Sequence, residues 1–218
     1  MITSWKDMPI RVLEQINDID GLHCSDDEKT FKATALLAGM DYDDFLNLPL
    51  DDARELVAKT SFVQEQPRKV RTRSEYRIGR RTYCLFRNIM QLTTSQYIDY
   101  QALLGQDISL HLPELMAIVL VPKGHKYGDG YDTEAVIEEI RNNMGVEDAL
   151  SVADFFTRRC YKSMRRMIRR SEAAMWIAKM RAPKDEREAM EAMQTALRLV
   201  DSELLSEFGC HWWKRWPK

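Results

Sequence analysis

The feature that most constrains this chain is an apolar stripe in its last third. Apolar side chains recur there at separations of three, four or seven residues over about eight helical turns: Ala149, Ala153, Phe156, Cys160, Met164, Met167, Ile168 and Met175. That spacing places them on one face of an α-helix, toward a core. The pattern predicts one long helix that begins near Val146 and spans roughly residues 147 to 180.

A second apolar pattern follows a break in the first. Ala182-Pro183 should interrupt the long helix. Beyond it, a similar helical spacing marks a final helix at Met190, Met193, Ala196, Leu197 and Val200. Residues 146–218 are therefore predicted to form a C-terminal helical hairpin with a tryptophan-rich tail.

Residues 1–145 show several short helical patterns. Ser25 followed by Glu28 is a capping-box pattern, and Gly39 is placed to end the helix that begins there. Thr93 with Gln96 repeats that spacing at the start of another helix. Further helices are predicted over residues 9–19, 43–48, 50–62 and 112–121, and after Asp132.

One segment of residues 1–145 has the period of strands. Tyr76, Ile78, Tyr83 and Leu85 alternate with polar or charged residues around Gly79. This alternation predicts an antiparallel hairpin near residues 75–87, and no other sheet is expected. The predicted fold class is mainly α: an α-rich region, 1–145, with one small β-hairpin, and a long C-terminal helical hairpin.

The charge is nearly balanced in sum but not along the chain. The sequence has 32 Lys and Arg against 34 Asp and Glu, a net charge of −2, which excludes a uniformly basic nucleic-acid-binding protein. Residues 1–60 alone carry thirteen acidic and six basic residues, a local balance of −7. The excess of basic residues must therefore lie further along the chain.

Part of that excess lies on the long helix. Four cations share one face by their 4-3-4 spacing, and three more flank them: Arg158, Lys162, Arg165 and Arg169, with Arg159, Arg166 and Arg170. So many like charges repel one another unless an anion neutralises them. Three interpretations stay open: a solvated face near the chain's own acidic segment, an acidic protein partner, or phosphate. Nucleic acid ranks last, because Tyr161 is the one aromatic residue interleaved there.

The tail of the chain crowds aromatic rings and cations together. Trp212, Trp213 and Trp216 lie among three basic residues in the segment 208–218. Such rings need apolar cover, either by folding back on the final helix pair or by docking on another subunit. We predict that a partner contacts these three tryptophans and the four cations Arg158, Lys162, Arg165 and Arg169.

No catalytic, metal or cofactor site is predicted. His23-Cys24 and Cys210-His211 pair adjacent residues, which seldom chelate one metal well. His111 and His125 have no nucleophile or carboxylate at a characteristic spacing. The longest apolar run, 115–121, is too short to cross a bilayer, so no membrane partner is expected. The four isolated cysteines favour a reducing, cytosolic setting.

Several short pieces, taken in order, carry a family resemblance: Trp5-Lys-Asp-Met-Pro-Ile10, Tyr76-Arg-Ile-Gly79, Thr93-Thr-Ser-Gln-Tyr-Ile-Asp-Tyr100, Leu115 to Pro122, Lys126-Tyr-Gly-Asp-Gly-Tyr-Asp132 and Ala153-Asp-Phe-Phe156. Together they resemble tailed-bacteriophage structural-module proteins of the kind described as tail assembly chaperones. The resemblance implies a non-enzymatic protein of the host cytoplasm that binds tape-measure or tail-tube subunits. A virion connector, or another structural component of the virion, is the alternative, and so is a nucleic-acid-binding protein that uses the Arg-rich helix.

Overall fold

A computed structural model describes residues 1–87, 91–104 and 110–181, together with residues 192, 193, 195, 196 and 199. The described part is mainly helical, as predicted, with eight α-helices and three short strands. The helices are α1 Ile10–Asp20, α2 Asp26–Ala38, α3 Tyr42–Leu46, α4 Leu50–Thr60, α5 Thr94–Leu104, α6 Leu112–Val119, α7 Thr133–Asn143 and α8 Val146–Arg181. The strands are β1 Glu75–Ile78, β2 Arg81–Leu85 and β3 Leu120–Pro122.

The helix starts predicted from capping patterns are confirmed. Ser25 Oγ accepts a hydrogen bond from the Glu28 amide at 3.2 Å, and Gly39 ends α2 with φ of +73°. At α5 the Thr93 and Gln96 side chains each accept a hydrogen bond from the other's backbone amide. Gln96 is fully buried, and its Nε2 also donates to the Ile118 carbonyl at 2.9 Å, which ties α5 to α6.

The three strands form one antiparallel sheet in the order β1-β2-β3. The predicted hairpin is confirmed, and its alternating residues Tyr76, Ile78, Tyr83 and Leu85 are buried. The third strand was not predicted. The helix expected over residues 112–121 ends at Val119, and β3 pairs with β2 instead. A short, fully apolar run fits a buried strand as well as a buried helix, so periodicity alone could not separate the two.

The start of α8 is bound to the beginning of the chain through backbone groups. The Val146 amide donates to the Met8 carbonyl at 2.8 Å, and the Glu147 amide donates to the Trp5 carbonyl at 3.3 Å. These amides have no partner within a helix, so the N-terminal segment takes the place of a side-chain cap. Gly145 allows the close approach, because a Cβ atom there would collide with the Lys6 carbonyl.

The described residues divide into two compact units, and the division falls within α8. Residues 1–87 with 91–154 form the first unit, and the residues from Phe155 onward belong to the second. In the first unit, Val146, Ala149, Val152 and Ala153 of α8 are buried.

In the second unit, Phe156, Cys160 and Ile168 are buried, whereas Met167 is 62% exposed. The placement of Met167 in the core stripe was therefore wrong. Ile168, the next residue and also a member of the predicted stripe, is only 8% exposed, so its placement in the core is confirmed.

Candidate interaction surface

The four cations singled out in the sequence lie on one continuous helix, α8. Arg158, Lys162 and Arg169 are exposed, and Arg165 is partly buried. Because α8 is helical throughout, the 4-3-4 spacing does place them on one face, over about 16 Å of helix length. We call these four residues the basic face.

Three further cations flank the basic face. Arg159, Arg166 and Arg170 are all exposed. Aromatic rings of the same helix hold two guanidinium groups of α8: that of Arg159 lies 5.4 Å from the centre of the Phe155 ring, and that of Arg165 lies 5.9 Å from the Tyr161 ring. Such cation–π contacts orient an arginine while leaving its charge available to a partner.

Several cations on this stretch of α8 have no salt bridge within the described part of the chain. Among the residues that the structure describes, none of Lys162, Arg166, Arg169 and Arg170 forms a salt bridge. Like charges three or four residues apart on a helix each destabilise it by about 0.2–0.5 kcal/mol. Lys162, Arg166, Arg169 and Arg170 therefore add to an unfavourable run of like charge that no salt bridge among the described residues offsets at these four positions.

Large apolar side chains are exposed on the same helix. Trp176 is 58% exposed and Ile177 is 46% exposed, and Met167 adds a third uncovered side chain. Trp176 follows Arg169 by seven residues, two helical turns, so it extends the basic face toward the end of α8. Sequence reasoning missed Trp176. Its i+7 relation to Arg169 was the available signal, because it placed the ring on the charged side of the helix.

The other predicted contact residues, Trp212, Trp213 and Trp216, lie outside the described residues, as does most of the predicted final helix. Their contribution to a partner surface stays a prediction.

The histidines and cysteines are dispersed. Across the described ranges no three His, Cys, Asp or Glu residues lie close enough together to hold a metal ion. His23 is exposed beside a partly buried Cys24, and Cys210 and His211 lie outside those ranges. The His125 ring packs edge-on against Tyr131 at 5.9 Å. Within the described ranges, His23, Cys24 and His125 lie in loops, whereas Cys84 lies in β2 and Cys160 in α8.

The most connected ionic group joins three helices of the first unit. Arg141 of α7 bonds to Glu14 of α1 at 3.2 Å, to Glu114 of α6 at 3.1 Å and to Glu138 of its own helix. Burial raises the pKa of Glu14 against the opposing effect of Arg141. These ion pairs connect α1, α6 and α7, so we interpret the three carboxylates as structural.

A second polar contact fastens the sheet to the same helix. The Tyr83 hydroxyl donates to Glu139 of α7 at 2.7 Å, and the Arg80 amide donates to the other carboxylate oxygen. Burial, followed by the hydrogen bond to Glu139, raises the pKa of Tyr83. This contact holds the β1–β2 turn against α7.

No helix in the described part of the chain combines the length and the apolar character needed to cross a membrane. In comparisons with known proteins, no family model matches the chain, and neither a curated protein nor a solved structure matches it. The exposed surface of α8 is therefore the observation that carries the functional argument.

Proposed function

We propose that this chain is a non-enzymatic protein that acts by binding another protein through the exposed surface of α8. The observation that carries the proposal is the combination of exposed cations on α8 with the exposed side chains of Trp176 and Ile177. Tryptophan and arginine are the residues most enriched among those that dominate binding energy at protein interfaces. Exposed apolar side chains rimmed by charge are typical of a protein-binding surface.

We further propose that the binding serves phage tail assembly in the host cytoplasm, with tape-measure or tail-tube subunits as partners. The resemblance in the sequence motivates this choice, and the exposed helix surface is compatible with it. A long helical partner with an apolar stripe could pack along α8 by helix-in-groove contact. A virion connector would use the same surface but would remain in the finished particle.

The experiment is co-purification of the tagged chain from phage-infected cells, with mass spectrometry of free complexes and of finished virions. The test variant combines Lys162→Glu with Arg169→Glu, and we call it the α8 variant. The control variant combines Arg71→Glu with Arg77→Glu, two exposed cations outside α8 that give the same change in net charge. The proposal predicts that the α8 variant loses the partner and that the control variant keeps it.

The location of the protein separates the two roles in assembly. Recovery with a tape-measure protein, and absence from virions, supports a chaperone; recovery in virions supports a structural component. Identical partners for wild type, α8 variant and control variant would contradict binding through α8.

Nucleic acid is the second candidate, and the exposure of Trp176 beside the basic face favours it, because an aromatic ring among cations can stack a base. A salt titration of binding to single-stranded DNA and RNA distinguishes the two candidates. Phosphate binding should weaken log-linearly as salt rises. Burial of Trp176 and Ile177 against a protein should persist at high salt.

A further inference from the structure

The first unit carries a surface of the opposite charge on helices α2, α3 and α4. α2 packs against both α3 and α4. Residues 26–59, which these helices span, contain nine acidic and four basic residues, a net charge of −5. Five of the exposed carboxylates in this segment define what we call the acidic surface: Asp27, Asp43, Asp44, Asp51 and Asp52.

Apolar side chains lie among these carboxylates. Leu46 is 55% exposed at the end of α3, and Leu50 is 65% exposed at the start of α4. Phe31 of α2 is partly uncovered too, with its ring 5.7 Å from that of Phe45. The acidic surface therefore mixes charge with uncovered apolar area, as α8 does.

The two surfaces are complementary in charge and alike in apolar content. From Phe155 to Arg181 there are nine basic residues and one acidic residue, against the excess of acid on α2 to α4. Opposite potentials steer two surfaces together and fix their register, while apolar contacts supply affinity. Exposed leucines on one side could cover Trp176 and Ile177 on the other.

We propose that the acidic surface of one chain binds the basic face of α8 in a second copy of the same chain. This inference rests on the proposed function, because it names a partner for the same face of α8. Every copy carries both surfaces in equal number, and the net charge of −2 leaves little repulsion between copies. In a symmetric dimer, the acidic surface of each copy would contact the basic face of the other. In an open head-to-tail assembly, each added copy would contact the next one in the same way.

The test measures the molar mass of the purified full chain by light scattering across a concentration series, at low and at high salt. Wild type should form species of two or more chains at low salt and dissociate at least partly as salt rises, because the charges are exposed. The α8 variant should weaken self-association roughly tenfold or more, as loss of charge pairs at an interface does. The control variant should behave as wild type.

A variant of the acidic surface tests the other half of the contact. Asp44→Lys with Asp52→Lys should weaken self-association by a similar factor, and mixing it with the α8 variant should restore two-chain species. Lysine in the first turn of a helix opposes the helix dipole, so folding is checked by circular dichroism. Leu46→Gln with Leu50→Gln gives a second variant of the same surface, at side chains that are already exposed.

The outcomes separate this inference from the proposed function. A wild-type chain that stays monomeric at low salt and high concentration overturns self-association, and unchanged association of both acidic-surface variants also overturns it. If the α8 variant still loses a phage partner in that case, binding through α8 stands. If the α8 variant changes neither self-association nor any other partner, both proposals fail.

Discussion

The first turns of α8, residues 146–154, differ from the rest of the helix, residues 155–181, in how far their side chains are buried. In the first turns, Val146, Ala149 and Val152 are buried in a core. Backbone carbonyls near the beginning of the chain accept hydrogen bonds from the first amides of the helix. In the remainder, cations and large apolar side chains are exposed together. Helical periodicity thus shows that a helix exists, but not whether a given face serves packing or binding.

The acidic residues of α2 and α4 differ from the cations of α8 in how the helix around them compensates their charge. Asp26, Asp27, Asp51 and Asp52 lie in the first turns of α2 and α4, where the helix dipole favours negative charge. Lys32 pairs with Glu28 at 2.7 Å, and Lys59 pairs with Glu55. Local structure therefore accounts for much of the acidic excess, whereas the cations of α8 lie in the middle of a helix, where no dipole end compensates them.

The largest expected effect compares two neighbouring residues of α8. Ile168 is 8% exposed, so Ile168→Ala should lower the free energy of unfolding by about 2–4 kcal/mol. Met167→Ala removes a side chain of similar size that is mostly exposed, and the change should stay within about 0.5 kcal/mol. Urea denaturation measures both. Equal losses would mean that Met167 is covered as fully as Ile168, which would contradict its exposure.

The next effect concerns the attachment of the helix start. Gly145→Ala places a methyl group against the Lys6 carbonyl and should destabilise the protein by about 1–3 kcal/mol, as overpacking does. Gly21→Ala is the matched control, because its backbone has φ of −72° and the new methyl group meets ordinary contact distances. Thermal denaturation of the two variants gives the comparison. A Gly145→Ala protein as stable as the control would contradict the tight approach.

A smaller effect is expected at Trp5, whose backbone carbonyl accepts a hydrogen bond from the Glu147 amide. The Trp5 indole N–H donates to the carbonyls of Phe62 and Glu65, each at 3.0 Å. Trp5→Phe keeps an aromatic ring against Phe62 but leaves both carbonyls without this donor, at a cost of about 1 kcal/mol. Urea denaturation measures the loss. Trp5→Ala should cost more, because the edge-on ring contact with Phe62 is lost as well.

The smallest effect should have the opposite sign. The α8 variant, with Lys162→Glu and Arg169→Glu, relieves charge repulsion within α8. Lysine, arginine and glutamate have similar helix propensities, so the substitutions should not weaken the helix. The free energy of unfolding should stay the same or rise by up to about 0.5 kcal/mol at low salt. A clear loss of stability would instead indicate that the chain's own acidic residues already neutralise this face.

Local signals made much of the fold predictable. The capping boxes at Ser25 and Thr93 involve groups three residues apart, and both are present in the structure. β3 was missed because it pairs with β2, about 35 residues earlier in the chain, and no local rule registers such a partner. The approach of Gly145 to Lys6 joins residues that are still further apart in sequence.

The candidate surface was predictable only in part. Spacing alone placed Arg158, Lys162, Arg165 and Arg169 on one face, and the continuous helix confirms that geometry. Exposure was not predictable, because it depends on which side of α8 other residues cover. Met167 was therefore assigned to the core, and Trp176 was not recognised as exposed.

The attachment of α8 to Trp5 and Met8 has a consequence for synthesis on the ribosome. Roughly 140 residues separate these two carbonyls from the amides that donate hydrogen bonds to them. At about 5–20 residues per second, the ribosome takes some 7–28 seconds to synthesise that length. Throughout this interval the nascent N-terminal segment lacks its final neighbour. The first unit can close only when the start of the last long helix emerges, so a nascent chain stalled before Gly145 would retain an incomplete core.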